Sequence, residues 1–232
     1  MFSLSIATWT YIWVALMIAL LFAAERKFPL AVAKLEESIL AFFLSAITII
    51  AFVQVVLRYG FNLSLGGALE LTSIIFAWLI LFGMSYGIRT SAHLGVDVFV
   101  RMLPGRAFRV VAVFGALATV LYAVILFSSD WLSIFGAKSK GGAVIYWSKM
   151  YQLGLGLEDV KFPRWIYEPL GWDERVKRWV AYLILPIGIS LLGFRALQAT
   201  IAIIRGEREL IIASHEAEEL VAENKDVLKE DE

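Results

Sequence analysis

Apolar and polar positions fall along this chain in blocks rather than in alternation. Apolar stretches cover residues 4–24, 38–57, 71–88, 110–129 and 179–204, and charge stands at their edges. Glu25-Arg26-Lys27 stops the first. Glu36-Glu37 and Arg58-Tyr59 bracket the second, Glu70 and Arg89 the third, and Arg109 and Asp130 the fourth. At about 1.5 Å of rise per residue, such stretches match one hydrocarbon thickness of about 30 Å, so the pattern predicts membrane-crossing helices. For residues 4–24 the rival is a cleaved signal peptide. No Lys or Arg precedes the run and no small-x-small site stands before Glu25, which favours a retained helix, spanning or lying at the interface. Pro186 and Gly188 lie inside the last stretch and predict a kink there.

Two segments lie between or beyond the spans. Residues 130–178 are long and aromatic, with Trp131, Tyr146, Trp147, Tyr151, Trp165 and Trp172 among the rings, a composition suited to the membrane interface. Pro163, Pro169 and Gly141-Gly142 argue against one continuous helix through it. Residues 206–232 form an acidic tail in which Ala217, Leu220, Val221 and Leu228 recur at helical spacing.

Composition agrees with lipid as the solvent: 60% of residues are hydrophobic and 18% charged, with mean hydropathy +0.76, against about 25% charged in soluble domains. Net charge is zero, which argues against a nucleic-acid partner. The chain has no cysteine, which excludes disulfides, thiolate nucleophiles and the usual zinc or iron–sulfur ligand sets. Basic residues mark the cytoplasmic side. Arg89, Arg101, Arg106 and Arg109 between the third and fourth stretches therefore lean inside, while Arg175, Lys177 and Arg178, directly before the last span, pull the other way.

The spans are notable for what they lack. Residues 71–88 and 110–129 carry no charge, and in residues 38–57 the notable polar group is Gln54, near the interface. Arg195 is the exception, near enough to Arg205 to snorkel to the membrane edge, with a partner carboxylate as the alternative. Haem would need facing histidines, and only His93 and His215 exist, one in a connection and one in the tail. No nucleophile–base or paired-carboxylate arrangement falls in one pocket, so no enzyme and no cofactor is expected. Gly83 and Gly87 form a small-xxx-small stripe, Ser73 and Ala77 extend it on a neighbouring face, and Ala112 and Ala116 form a weaker one; either stripe suits close helix packing.

Residues 35–104 resemble the small membrane subunit, the DctQ-type or Q subunit, of the tripartite ATP-independent periplasmic (TRAP) transporters. Leu35-Glu36-Glu37 opens the first family helix and Gln54-Val55-Val56-Leu57-Arg58-Tyr59 closes it, followed by Asn62. Glu70-Leu71 opens the next, with Trp78, Gly83 and Arg89. Then His93-Leu94-Gly95-Val96-Asp97, Leu103-Pro104 and Arg106 follow. Two departures stand out: Gly67 occupies the place of a family Trp, and Leu69 that of the first of two acids, leaving Glu70 alone. The stretch 4–24 is additional to the family's four helices, and residues 130–178 exceed the usual connection.

The resemblance implies an all-α integral membrane protein of the bacterial inner membrane. Its plan is a Q-subunit-like domain over residues 35–205, an extra N-terminal apolar helix, an interfacial aromatic loop on the periplasmic side and an acidic cytoplasmic tail. It implies a non-catalytic scaffold that enlarges the stator of a large, sodium-coupled, elevator-type subunit. A periplasmic binding protein would deliver a carboxylate, most simply a C4-dicarboxylate. The implied partners are the large membrane subunit, the binding protein and membrane lipids. Subunit-contact candidates are Arg58, Glu70, Trp78, Gly83, Gly87, Arg89, His93, Asp97 and Arg195. Simpler readings stand beside them: Arg58 and Arg89 as boundary anchors, Glu70 as a helix-dipole partner, His93 and Asp97 as a polar pair on one helix face, and Trp78 as packing. A membrane anchor for another protein, or a stand-alone small transporter, remain the alternative functions.

Overall fold

The structure, a computed structural model, describes residues 5–90, 104–138 and 141–206. His93, Asp97, Arg101 and the tail beyond Gly206 lie outside the described residues. Among the described residues, five helices, or near-continuous helix pairs, are long and apolar enough to cross a membrane. Helix α1 is Ile6–Lys27, α2 Pro29–Gly60, α3 Ala68–Thr90 and α4 Gly105–Phe127. Between α4 and the last span come a 3-10 turn, Asp130–Phe135, then α5 Ala143–Leu153, β1 Gly156–Lys161, α6 Arg164–Leu170 and β2 Arg175–Lys177. The last span is α7 Arg178–Tyr182 followed by α8 Ile184–Arg205.

The helices are longer than the apolar stretches because a backbone hydrogen-bond ladder does not stop where hydrocarbon does. α1 runs through Glu25-Arg26-Lys27, whose cations suit a helix C-terminus. Only Phe28 separates it from α2, which starts with Pro29 in its first turn, where a missing N–H costs nothing. At 32 residues α2 is about 48 Å long. That exceeds the hydrocarbon core, so the turns bearing Lys34, Glu36 and Glu37 reach beyond it.

The last span breaks where proline dictates. Pro186 has no N–H to give to the Tyr182 carbonyl, and the helix parts at Leu183 between α7 and α8. Gly188, expected only as a kink, is a packing residue: a Cβ there would lie 2.6 Å from the Cβ of Leu81 on α3.

Two compact units divide the chain, Met1–Met84 with Ala123–Leu192, and Ser85–Tyr122 with Gly193–Glu232. In the first, the buried core includes Val14, Val144, Trp147, Ile184 and Ile189, and α1 packs on α2 and on α5. Trp13 meets Trp147 edge-on at 6.1 Å, so the extra N-terminal helix is docked against the aromatic segment. In the second, buried positions include Ala112, Ala116, Ala196 and Ala199, small residues of the kind that let membrane helices approach closely.

The aromatic segment is more regular than its composition predicts, and its strand pair is a small exception to the all-helical plan. β1 and β2 pair antiparallel, with α6 in the connection. Gly141-Gly142 proves to be a contact. Ser129 N–H donates to the Gly141 carbonyl at 2.9 Å, and a Cβ on Gly142 would lie 2.7 Å from the Phe127 carbonyl oxygen. Ser128 and Ser129, read as the end of a span, belong to this turn instead.

Candidate functional site

The first unit carries a clamp where α3 begins. Glu70 stands in the first turn of α3, and its carboxylate accepts three consecutive backbone N–H groups of β1. Glu158 N–H donates to Oε1 at 3.2 Å, and Asp159 and Val160 donate to Oε2 at 2.8 and 3.1 Å. Successive N–H groups converging on one anion form a cradle of the kind that binds phosphates elsewhere; here the chain's own carboxylate fills it. Glu70 is thus both the helix-dipole partner expected and an intramolecular tie across 88 residues. Arg178 strengthens the same strand, its guanidinium donating to the Glu158 carboxylate at 2.8 Å and to the Gly156 carbonyl at 3.2 Å.

Gly67, the departure from the family pattern, is required by this clamp. Its φ of +76° lies in the left-handed region, and a Cβ would sit 2.7 Å from the Asp159 carbonyl oxygen. No tryptophan fits where β1 passes this close.

Trp78 is a second tie. Its indole N–H donates to the Ala181 carbonyl at 3.1 Å, beside the proline break, where the backbone ladder is interrupted. The ring lies against Phe82 (centroids 6.4 Å apart, planes 21°) and edge-on to Phe43 at 6.1 Å. A neighbouring helix therefore supplies the donor that a broken membrane helix needs. Trp147 does the same two residues away, donating to the Trp179 carbonyl at 3.0 Å.

The remaining candidates are not drawn together. Arg58 is exposed in the last turn of α2 and lines a cavity of about 370 Å³ with Gln54, Asn62 and Ser64. Gly83 is half-buried, and a Cβ there would meet only Leu40 at 3.9 Å, so its stripe marks no tight crossing within its unit. Gly87 is buried and Arg89 half-buried at the end of α3, in the second unit. Arg195, also in that unit, is only 3% exposed, so its side chain is covered by the protein itself. Its guanidinium donates to Gln198 Oε1 at 2.8 Å, one turn along, and lies over the Phe194 ring at 5.5 Å. This local pairing was missed because Gln198 reads as an ordinary polar residue near a span end. Among the described residues no group of three His, Asp or Glu side chains is placed to hold a metal ion.

Outward-facing apolar surface dominates the spans. On α2, Val32 alone is buried, and Phe42, Ile49 and Phe52 are each more than 60% exposed within the chain. On α4, Val110 and Phe114 are similarly uncovered.

Comparison with known proteins adds a family. Residues 47–206 match the model of the tripartite ATP-independent periplasmic transporters, DctQ component. A C4-dicarboxylate TRAP transporter small permease protein of Vibrio cholerae is 32% identical, the match covering 80% of this chain and 78% of that protein. The protein of the same description from Pseudomonas aeruginosa is 29% identical, covering 76% and 85%. One from Rhodobacter capsulatus is 28% identical over a shorter region. The match extends well beyond Pro104 and takes in the proline-broken last span, while α1 precedes it.

Proposed function

The chain belongs to the DctQ component family of the TRAP transporters, a transporter subunit of the inner membrane and not an enzyme, and from that premise we propose that it is the scaffold subunit of a C4-dicarboxylate importer. In this reading it sits beside a large membrane subunit that binds substrate and sodium, and a periplasmic binding protein delivers the dicarboxylate. The large subunit moves; this chain enlarges the part that stays fixed.

One observation carries the scaffold role. Spans free of charge at membrane depth offer no path for a dianion, and their single arginine is engaged with Gln198 on its own helix turn. The uncovered faces of α2 and α4 then supply contact area for lipid and for the large subunit. The substrate class rests on the printed descriptions of the relatives.

Uptake of labelled C4-dicarboxylate into proteoliposomes tests this, using the large subunit and binding protein with and without this chain. The expected result is co-purification of the two membrane subunits and sodium-dependent uptake that needs both. Normal uptake by the large subunit alone, with no co-purification, overturns it. Removing residues 207–232 should leave uptake largely intact; a loss would favour an anchor that recruits a partner through its tail.

A further inference from the structure

Between β2, the turn before it and the first turn of the last span lies a groove of about 540 Å³. Its apolar lining is Phe162, Trp172, Trp179 and Val180. The rings are held by contacts of their own. Phe162 and Trp172 meet at 5.7 Å, and the Trp179 ring is wedged edge-on against Trp147 at 6.3 Å and Tyr151 at 5.5 Å. Two cations line the groove, and they differ. Lys177 is engaged, paired with Asp173 and donating to the Gly154 carbonyl at 3.1 Å. Arg175 is exposed and makes no hydrogen bond or ion pair among the described residues. Its aliphatic stem crosses Gly156, where a Cβ would lie 2.7 Å from Arg175 Cβ.

We propose that this groove holds an anionic diacyl phospholipid, its phosphate on the Arg175 guanidinium and the upper part of an acyl chain against Trp172, Trp179 and Val180. Placement argues for lipid. Trp179 and Val180 are among the first residues of a membrane-crossing helix, so the apolar walls stand where acyl chains meet headgroups. Charge argues for an anionic one: the Asp173 carboxylate is answered by Lys177 and the Glu174 carboxylate chiefly by Lys161. The Arg175 guanidinium, which acts on Glu174 only as a lesser charge and bonds to neither, keeps its donors for the ligand. A guanidinium suits phosphate in particular, presenting several N–H donors in one plane. An acidic peptide would satisfy Arg175 but leave the aromatic walls unfilled. The volume suits a headgroup and a few methylenes.

The test is native mass spectrometry of the full chain in neutral detergent, titrated with palmitoyl-oleoyl phosphatidylglycerol, with phosphatidylcholine of the same chains, and with soluble glycerol 3-phosphate. Retention of phosphatidylglycerol about fivefold tighter than phosphatidylcholine is expected, the size of one basic contact near a membrane surface. Arg175→Gln should abolish that preference, Arg175→Lys should restore part of it, and Val180→Trp should weaken both lipids by filling the groove. Equal retention of the two lipids, or a preference unchanged in Arg175→Gln, overturns the proposal. Displacement of phosphatidylglycerol by glycerol 3-phosphate overturns it in favour of a free-phosphate site. Displacement by polyglutamate, added as a further competitor in the same titration, overturns it in favour of an acidic protein segment.

Discussion

Across its 32 residues α2 buries Val32 alone, and Phe42 and Phe52 stand outward. Residues 130–178, in the same compact unit, are tied down by Glu70 on three N–H groups and by Trp147 on the Trp179 carbonyl. The difference follows from solvent. In lipid an apolar face gains nothing by being covered, so a helix needs no partner within its own chain. At the interface, backbone polar groups outside regular ladders must find partners, and directional bonds settle the structure. One region is therefore left open for lipid or another subunit. The other is completed internally and cannot rearrange without breaking named contacts.

The sharpest way to break this contrast is to close the gap under β1. Gly67→Trp places a large side chain against the Asp159 carbonyl at a backbone φ of +76°. Destabilisation of about 3 kcal/mol is expected, through strain and displacement of the strand. Thermal unfolding in detergent reads it, together with rapid hydrogen exchange at residues 156–161. A variant that melts like the parent would show that the strand's close approach is not needed.

Next in size is Glu70→Ala, which leaves three N–H groups to water. Loss of these charge-assisted bonds is expected to cost about 1–2 kcal/mol, with amide protection lost at Glu158, Asp159 and Val160. Glu70→Gln, which keeps one acceptor oxygen, should lose less. Equal loss in both would mean that the carboxylate's charge does little at this position.

How much of this was legible beforehand also divides along the two regions. The spans could be read because length and apolarity alone specify a membrane helix, although their ends could not: α2 begins nine residues before Ser38, wherever its ladder finds partners. The Gln54–Arg58 and Glu70–Leu71 elements carried the family. In the aromatic segment the sequence marked breaks but not ties. Pro186 announced a disruption, yet nothing in the local pattern points to Trp78, 103 residues from the Ala181 carbonyl, as the donor beside it. Gly67 read as a missing tryptophan, because a close approach to Asp159 is a tertiary fact with no local signature. The burial of Arg195 went unread for the same reason: it depends on neighbours that spacing does not reveal.

The open face predicts the opposite response. Phe52→Ala removes a ring that is 68% exposed within the chain, so the chain's own stability should change by under about 0.5 kcal/mol. If α2 meets the large subunit there, co-purification weakens while the melting temperature holds. A drop in melting of the isolated chain would show that this face of α2 packs against its own protein after all.

The smallest effect tests the completed region from its solvated edge. Lys161 donates to Glu174 Oε1 at 2.9 Å across the hairpin, beside the backbone bond from Phe162 N–H to the Glu174 carbonyl at 2.8 Å. The Lys161 hydrogen bond, then its charge, with smaller help from Arg175 and Arg164, holds the Glu174 carboxyl below its ordinary value of 4.5. A depressed folded value means that the pair's contribution is complete above about pH 4.5 and lost as pH falls through the folded value. Protection of the Phe162 amide, corrected for intrinsic exchange, should therefore be flat from neutral pH down to about pH 5 and fall only below the ordinary carboxylate range. Lys161→Met should move the Glu174 titration upward toward 4.5. Both side chains are about half exposed, so salt should shrink the difference between the two proteins. An unchanged titration in Lys161→Met would mean that water screens the pair fully, leaving the backbone bonds and the Glu70 clamp to hold the hairpin alone.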